Sequence, residues 1–337
     1  AGIEGSDMAI RLGMPNLASG VLDNAASGWA ARGNYARTLS VWKRRGEVIP
    51  SVNDAFEIGD FWAMGAWMYF ELGDYPAAIR AVEDGEAAVV GLAGDNIHIH
   101  LDAWKVATLH RMGRWDDALE WFARVRDLLD ERRERPPYFA THAYGAAAQI
   151  HTARGNLVES DHLTGVLEPL LSGASGRLYP WLLRLHLMRG DLGAAATLER
   201  PPVWRVHAGD AYESESELVH ALDEHHRAKA LLEEMRHHAD ETAALSVGSF
   251  ADRLDGRLAL ADGDHARAID RLAAATDSFE TLGVPWERAI TMLDLGKAQL
   301  GERRFDEARA SFQGARDTFE RLGAVRDLAA ADELLTR

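Results

Sequence analysis

The chain has 337 residues, of which 37 are lysine or arginine and 53 are aspartate or glutamate, and it contains no cysteine. Hydrophobic residues make up 47% of it, which excludes a disordered chain and a small disulfide-stabilised domain. The net charge of −16 repels phosphate backbones and anionic lipids. The sequence therefore predicts no direct nucleic-acid partner and no membrane partner.

The sequence gives no sign of membrane insertion or export. No apolar stretch approaches the roughly 18 residues that a membrane span needs, and the first residues lack a basic segment followed by an apolar one. We therefore expect a cytoplasmic protein. Because the sequence opens on Ala1 rather than methionine, we also expect it to be a processed chain or part of a larger protein.

A three-residue landmark recurs along the chain: a glycine, a polar residue and then an aromatic or apolar one. Six copies begin at Gly33, Gly73, Gly113, Gly155, Gly190 and Gly263. Degenerate copies begin at Asp223 and Arg303, and the successive spacings are 40, 40, 42, 35, 33, 40 and 40 residues. Such spacings are typical of a repeated supersecondary unit, and we number the units one to eight by these landmarks.

Each landmark separates two segments with helical periodicity. In unit two, small and apolar residues recur at i, i+3, i+4 and i+7, at Trp62, Gly65, Ala66 and Tyr69. A second such stripe follows the landmark, at Ala78, Val82 and Val89. Glycine suits the left-handed residue that ends a helix, and the next Asp or Asn caps the following helix. Because strand signals are nearly absent, the sequence predicts an all-α chain of helix-turn-helix units.

These positions resemble the tetratricopeptide (TPR) signature W-x-x-L-G-x-x-Y…A, with further matches at Leu295-Gly296, Ala118-x-x-x-Phe122 and Ala308-x-x-x-Phe312. The resemblance implies a right-handed superhelical α-solenoid of about eight TPR-like units. A capping helix from about Val325 to Leu335 would follow the last unit.

The repeats are longer than the 34 residues of an ordinary TPR. Five of eight residues are identical between Asp277–Val284 and Asp317–Ala324. Long units with such helix ends resemble the C-terminal repeat regions of bacterial signalling ATPases. These include MalT-like LuxR-type regulators and class III adenylate or guanylate cyclases linked to an ATPase. The resemblance implies a sensor or scaffold segment downstream of a catalytic or DNA-binding part.

Irregular composition interrupts the array once. Glycine, serine and proline cluster at 172–176, Pro180 and Pro201-Pro202, where the landmark spacing also shrinks. We therefore expect three parts: units one to four over residues 1–171, a short unit five with a possible hinge over 172–210, and units six to eight with the capping helix over 211–337.

No catalytic motif is present in the sequence. The single Gly-Lys pair, Gly296-Lys297, precedes an alanine and is no phosphate-binding loop, and no G-x-S-x-G elbow occurs. Glu217 and His220 share a helix face, but His225-His226 and His237-His238 lie about 16 to 20 Å apart along one helix, too far to share a metal ion. We therefore expect no enzymatic activity, no cofactor and no metal site in this chain.

The remaining candidate is the concave groove. In TPR proteins, positions 2, 5, 9 and 12 of each first helix line it. With the landmark glycine as position 15, the predicted groove residues are Asp60, Trp67, Phe70, His100, His110, His142, Gln149 and Arg184, followed by Glu217, His220, Arg253 and Arg257. Trp67 and Arg184 are the strongest candidates, because solvent-facing tryptophan and arginine often anchor partners. The alternative role of each is a helix–helix contact or a solvated side chain.

The sequence thus predicts a non-enzymatic interaction, sensor or scaffold module of a bacterial signalling or transcription-regulatory protein. Its partner would be a peptide, another domain of the same protein or a second copy of this chain. Two alternatives stay open. The groove between His110, His142 and Arg184 could close around a small effector, which a compact pocket would favour. Alternatively, the chain could be the regulatory region of a nucleotide cyclase whose catalytic part lies elsewhere.

Overall fold

A computed structural model describes residues 2–92, 94–132, 134–171, 175–202 and 204–336. Within these ranges the chain forms helices and connecting turns, and no strand. The α-helices are α1 (Gly2–Arg11), α2 (Pro15–Ala30), α3 (Tyr35–Val48), α4 (Ala55–Leu72), α5 (Tyr75–Val89), α6 (Asp95–Arg111), α7 (Trp115–Arg132), α8 (Thr141–Ala153), α9 (Leu157–Leu167), α10 (Tyr179–Arg189), α11 (Leu192–Thr197), α12 (Ala208–Ala221), α13 (His225–Thr242), α14 (Leu245–Ala261), α15 (His265–Leu282), α16 (Pro285–Gly301), α17 (Phe305–Leu322) and α18 (Val325–Thr336).

Every predicted landmark is a turn between two helices, from α2–α3 in unit one to α16–α17 in unit eight. The six landmark glycines adopt left-handed backbone with φ between 69° and 84°. Asp223 and Arg303, at the degenerate landmarks, adopt the same conformation with φ of 55° and 59°. The turn geometry therefore persists where glycine has been replaced. This confirms the all-α prediction, the helix-turn-helix units and the final helix.

The residue after the landmark glycine starts the second helix in several units. Asn34, Asp74, Asp191 and Asp264 each accept a hydrogen bond from the backbone N–H three residues ahead, at 3.0 to 3.1 Å. Such caps satisfy an N–H group that has no partner inside the helix. The local sequence thus fixes both the end of one helix and the start of the next.

Small residues let neighbouring helices pack closely. A Cβ added to Gly65 would lie 2.6 Å from Cζ2 of Trp42, whose indole stacks on Phe61 with ring centres 4.8 Å apart and donates Nε1–H to its carbonyl at 2.7 Å. The small residue of the repeat pattern is therefore needed for the approach of α4 to α3. Close packing of this kind leaves little tolerance for larger side chains.

The first half of the chain lies against the second half. A Cβ on Gly73 of unit two would lie 2.9 Å from Leu282 of unit seven, and one on Gly113 of unit three 2.5 Å from Pro285 at the start of unit eight. Hydrogen bonds also join the two halves: Tyr35 donates to the Arg205 carbonyl at 2.8 Å, and Arg154 donates to the Leu322 carbonyl at 3.1 Å. The first helices of the units therefore face an enclosed interior.

The irregular segment 172–210 is only partly described, since residues 172–174 and 203 lie outside the described ranges. Its described part holds α10, the six-residue α11 and a 3-10 turn at Trp204–His207. These short elements account for the shorter landmark spacing. The hinge and the three-part division of the chain remain predictions.

Candidate functional site

The predicted groove residues do lie on the first helices and face the interior. Helix α4 carries Asp60, Trp67 and Phe70; α6 carries His100 and His110; α8 carries His142 and Gln149; and α10 carries Arg184. However, six of the eight are buried: Trp67, Phe70, His110, His142, Gln149 and Arg184. The expectation that the strongest candidates face solvent is wrong, since Trp67 is 3% exposed and Arg184 5%. The layer formed by the later units covers them.

Trp67 is part of the core rather than an exposed anchor. Its ring stacks on Trp104 at 6.4 Å and contacts His207 at 5.7 Å, while its Nε1–H donates to Glu71 at 3.3 Å. Phe70 packs against Trp104 with ring centres 5.5 Å apart. A peptide could reach these side chains only if the two layers separated.

The predicted histidines differ in their surroundings. Burial lowers the pKa of His110 to about 3, and its ring stacks on Trp115 at 6.3 Å. His142 stacks on Trp104 at 4.0 Å, and burial also lowers its pKa. His100 lies 4.0 Å from Asp60 and keeps partial exposure. These histidines are neutral at pH 7, so they supply no positive charge to a ligand.

Arg184 lies on the wall of a cavity of about 320 Å³, which we call the Arg184 cavity. Its walls come from helices α8, α10, α12, α14, α16 and α18. Partly exposed apolar side chains form one side, at Leu187, Met188, Ile290 and Leu293, and Trp286 closes it. Exposed His220, Lys297 and Arg326 stand at the rim. This pocket lies between the first helices of units four to eight and α18, and it opens to solvent.

The polar side of the Arg184 cavity is a lattice of buried ion pairs. Arg257 contacts Asp294 at 2.7 Å and Glu217 at 2.8 Å, while Arg253 contacts Glu217 at 2.7 Å and Glu287 at 2.6 Å. Arg184 approaches Glu287 at 3.3 Å and lies over the Trp286 ring at 5.2 Å. Each buried carboxylate thus touches at least one guanidinium, as buried charges require.

These contacts hold the carboxylates in their charged form. Burial alone would raise the pKa of Glu287, but Arg253 and Arg184 lower it to about 2. In the same way, Arg257 and Lys297 outweigh burial and lower the pKa of Asp294. Arg257, Arg253 and Arg184 together bring the pKa of Glu217 well below its usual value. Carboxylates held this firmly ionised are poor proton donors, whereas burial raises the pKa of Asp327, which also lines the cavity.

The register argument found only part of this site. It assigned groove positions to Arg184, Glu217, His220 and Arg257, which line the cavity, and to Arg253, which contacts Glu217, but it stopped before unit eight. Counting back from Arg303 gives three more cavity-lining residues at positions 2, 5 and 9: Ile290, Leu293 and Lys297. Counting back from Gly190 in the same way puts Arg177, which was not among the predicted groove residues, at position 2 of unit five. Asp294, Trp286 and Asp327 could be found only from the packing.

No family model matches this chain, and neither does any curated protein sequence. In the part of the chain that the structure describes, no three histidine, aspartate or glutamate residues are grouped so that they could hold a metal ion. None of the described helices combines the length and the apolar character needed to cross a membrane.

Proposed function

We propose that this chain is a non-enzymatic sensor module of a bacterial cytoplasmic signalling protein, and that it binds a small effector in the Arg184 cavity. The observation behind the proposal is the cavity itself, a solvent-open pocket whose lining recurs at equivalent positions of successive units. Glu217, Arg257 and Lys297 all occupy position 9 of their repeats. Such a surface, lined by apolar walls and a few placed charges, is typical of ligand pockets.

The proposal includes the architecture that the TPR resemblance implies, a right-handed superhelical α-solenoid. The contacts between units support it. The turn of unit one meets His238 of unit six, that of unit two meets Leu282 of unit seven, and that of unit three meets Leu322 of unit eight. A constant offset of five units is what a regular superhelix produces after about one turn. The resemblance to signalling ATPases and linked cyclases supports a role in which effector binding controls another part of a larger protein.

The cavity favours an effector with an apolar body and a carboxylate. Its buried carboxylates are already paired with arginines, whereas Arg326 and Lys297, which also contacts Asp294 at 2.8 Å, are exposed at the rim. An incoming anion therefore meets accessible cations, while its apolar part can cover Ile290, Leu293 and Met188. Burial of apolar ligand surface stabilises the complex by roughly 25 cal/mol per Å² before the cost of association.

The test is a thermal-shift screen with aliphatic carboxylates from butyrate to decanoate, followed by calorimetric titration of each compound that raises the melting temperature. Ile290→Trp fills the cavity and should abolish the shift. Leu300→Trp changes a 37% exposed residue of the same helix that does not line the cavity, and it should leave the shift intact. Equal binding by both variants would place the ligand elsewhere and refute the proposal.

A second candidate function is partner docking by the N-terminal end, as expected of an interaction module. Six large apolar side chains among the first 17 residues are exposed: Ile3, Met8, Ile10, Leu12, Met14 and Leu17. Exposed apolar patches often mark protein–protein contacts. We propose a second copy of this chain as the partner. Sedimentation equilibrium should show self-association that Leu12→Asp weakens, and a monomer at high protein concentration would exclude this partner.

A further inference from the structure

Helix α1 has the register of a second helix. Residues 7–15 share an aspartate, a leucine, a glycine and a proline with residues 277–285, the segment that ends the second helix α15 and starts α16. Gly13 also adopts the left-handed backbone of Gly283, with φ of 69° and 70°. Helix α15 packs on its first helix α14, whereas no helix precedes α1 in the described part of the chain. Helix α1 therefore corresponds to the second half of an incomplete unit.

The C-terminal end has the converse gap. Helix α18 follows α17 through the turn at Gly323, as α16 follows α15 through the turn at Gly283, so α18 is the first helix of a ninth unit. Only Ala331 is buried in α18, whereas α16, which packs on its second helix α17, has nine buried residues. The described residues supply no second helix for unit nine. One chain thus has an unpaired second helix at one end and an unpaired first helix at the other.

The turn of unit four shows where a second helix of unit nine would end. At unit three, a Cβ on Gly113 would lie 2.5 Å from Pro285, at the start of α16, and 3.2 Å from Leu322, at the end of α17. At unit four, a Cβ on Gly155 would lie 3.2 Å from Val325, at the start of α18, and no other atom of the described residues would lie within 4 Å. The turn of unit four therefore lacks the contact that the end of a second helix makes.

Apolar side chains at both gaps are exposed where their equivalents are buried. Leu12, at the end of α1, is 66% exposed, whereas Leu282 and Leu322, at the same place in units seven and eight, are 8% and 3% exposed. Leu157, the third landmark residue of unit four, is 53% exposed, whereas its equivalent Trp115 in unit three is 1% exposed. If the end of α1 lay on the unit-four turn as Leu322 lies on the unit-three turn, both leucines would be buried, which favours association.

From these two complementary gaps we propose that α1 of a second copy docks beside α18 and completes unit nine. Leu12 of that copy then lies on Leu157, so the contact between units continues from one copy to the next. Such a contact joins different ends of the two copies, and it leaves one end of each copy open. The assembly therefore grows beyond a dimer. The inference rests on the second candidate function, self-association, and names the surface that receives the N-terminal end.

Sedimentation velocity of the full chain over a wide range of concentration tests this contact. The wild type should form species larger than a dimer, and Leu12→Glu should weaken association at least tenfold. The matched control is Ile10→Glu, because Ile10 is 48% exposed on the same helix and its equivalents Glu280 and Glu320 are exposed in the repeats. This control should associate as the wild type does. Equal weakening by the two variants, or association that stops at a dimer, would overturn the proposal.

Mixing two variants tests the head-to-tail arrangement. Leu157→Glu blocks the receiving end and Leu12→Glu blocks the docking end, so each alone should stay monomeric, while an equimolar mixture should form dimers and nothing larger. If Leu157→Glu associates as the wild type does, self-association stands but this inference fails. A wild-type chain that stays monomeric would refute both. If Leu157→Glu unfolds, Val158→Glu replaces it, since Val158 is the next residue and is 87% exposed.

Discussion

Two buried charge clusters occupy equivalent faces of the array but are balanced differently. The N-terminal cluster is Arg45 with Asp23, Glu57 and Asp60, one cation for three carboxylates. The C-terminal cluster has five cations for five carboxylates and consists of Arg111, Arg184, Arg253, Arg257, Lys297, Asp210, Glu213, Glu217, Glu287 and Asp294. First helices and the helices next to them form both clusters. The difference between the clusters therefore comes from which positions carry cations and which carry carboxylates.

The pKa values record this difference. In the N-terminal cluster, burial and like charge raise the pKa of Asp23 to about 7. In the C-terminal cluster, Arg253 and Arg184 overcome burial and bring the pKa of Glu287 to about 2, whereas burial raises the pKa of Glu213 to about 7. A balanced cluster stabilises the fold as it stands, whereas a cluster with excess carboxylates would be stabilised further by an added cation.

The largest expected effect comes from breaking the balanced cluster. Arg253→Ala would leave Glu287 and Glu217 buried without one of their cations, which should cost about 3 to 5 kcal/mol of unfolding free energy. Arg304→Ala, which removes an exposed ion pair with Glu307, should cost less than about 1 kcal/mol. Urea denaturation followed by circular dichroism measures both. Similar losses for the two variants would show that the buried pairs are not what stabilises this region.

The next-largest effect concerns the packing of the first half of the chain against the second half, which encloses both clusters. Gly113 and Gly263 share the left-handed conformation, with φ of 69° and 77°, so alanine strains either backbone by about 1 kcal/mol or more. At Gly113 the new Cβ would also lie 2.5 Å from Pro285, whereas at Gly263 no atom lies within 4 Å. Gly113→Ala should therefore cost about 1 to 3 kcal/mol more than Gly263→Ala. Equal melting temperatures would contradict the contact between the halves.

Neutralising one carboxylate in each cluster should change the unfolding free energy in opposite directions. Asp294→Asn removes a charge that lies 2.7 Å from Arg257 and 2.8 Å from Lys297. It should lower the unfolding free energy by about 2 kcal/mol at pH 8. Asp23→Asn removes a charge that the fold disfavours at this pH, and it should raise the unfolding free energy by about 1 kcal/mol. Denaturation of both variants at pH 8 gives the comparison directly. Destabilisation by Asp23→Asn would show that the N-terminal cluster is balanced after all.

The last effect is a pH dependence to which Glu71 contributes, together with Asp23, Asp102 and Glu213, whose pKa values burial raises to about 7. Burial raises the pKa of Glu71 to about 8, above the 4.5 of an unfolded glutamate. Between these values the folded state holds more protons, so stability falls as pH rises. The buried histidines contribute only below pH 6.5, because burial lowers their pKa values. Between pH 6.5 and 8, Glu71 should therefore contribute a decline of about 1 kcal/mol per pH unit.

Glu71→Gln isolates this contribution. Glu71 accepts hydrogen bonds from the indole of Trp67 and the backbone N–H of Gly209, both at 3.3 Å, and lies 2.7 Å from Nδ1 of His207. Glutamine has the same shape and does not ionise, so the variant should show a flatter stability profile above pH 6.5. An unchanged slope in guanidinium titrations at pH 6.5, 7.2 and 8.0 would assign the decline to other carboxylates.

Local sequence determined the helix-turn-helix units of this protein. A left-handed residue followed by a capping side chain ends one helix and starts the next within a few residues, so the spacing of the landmarks was enough. Even Asp223 and Arg303 keep this geometry, because the same short hydrogen-bonded turn is formed. The repeat register also put the groove residues correctly on one interior face, since helical periodicity fixes which side chains share a face.

Only the tertiary structure decided whether that face is open. Trp67 is buried against Trp104 of unit three and His207 before unit six, and Arg184 against residues of units six and eight; contacts between units leave no mark on local periodicity. For the same reason the sequence could not show that Arg253 meets Glu287. Ion pairing depends on distances between units, and these are set by how the whole array closes.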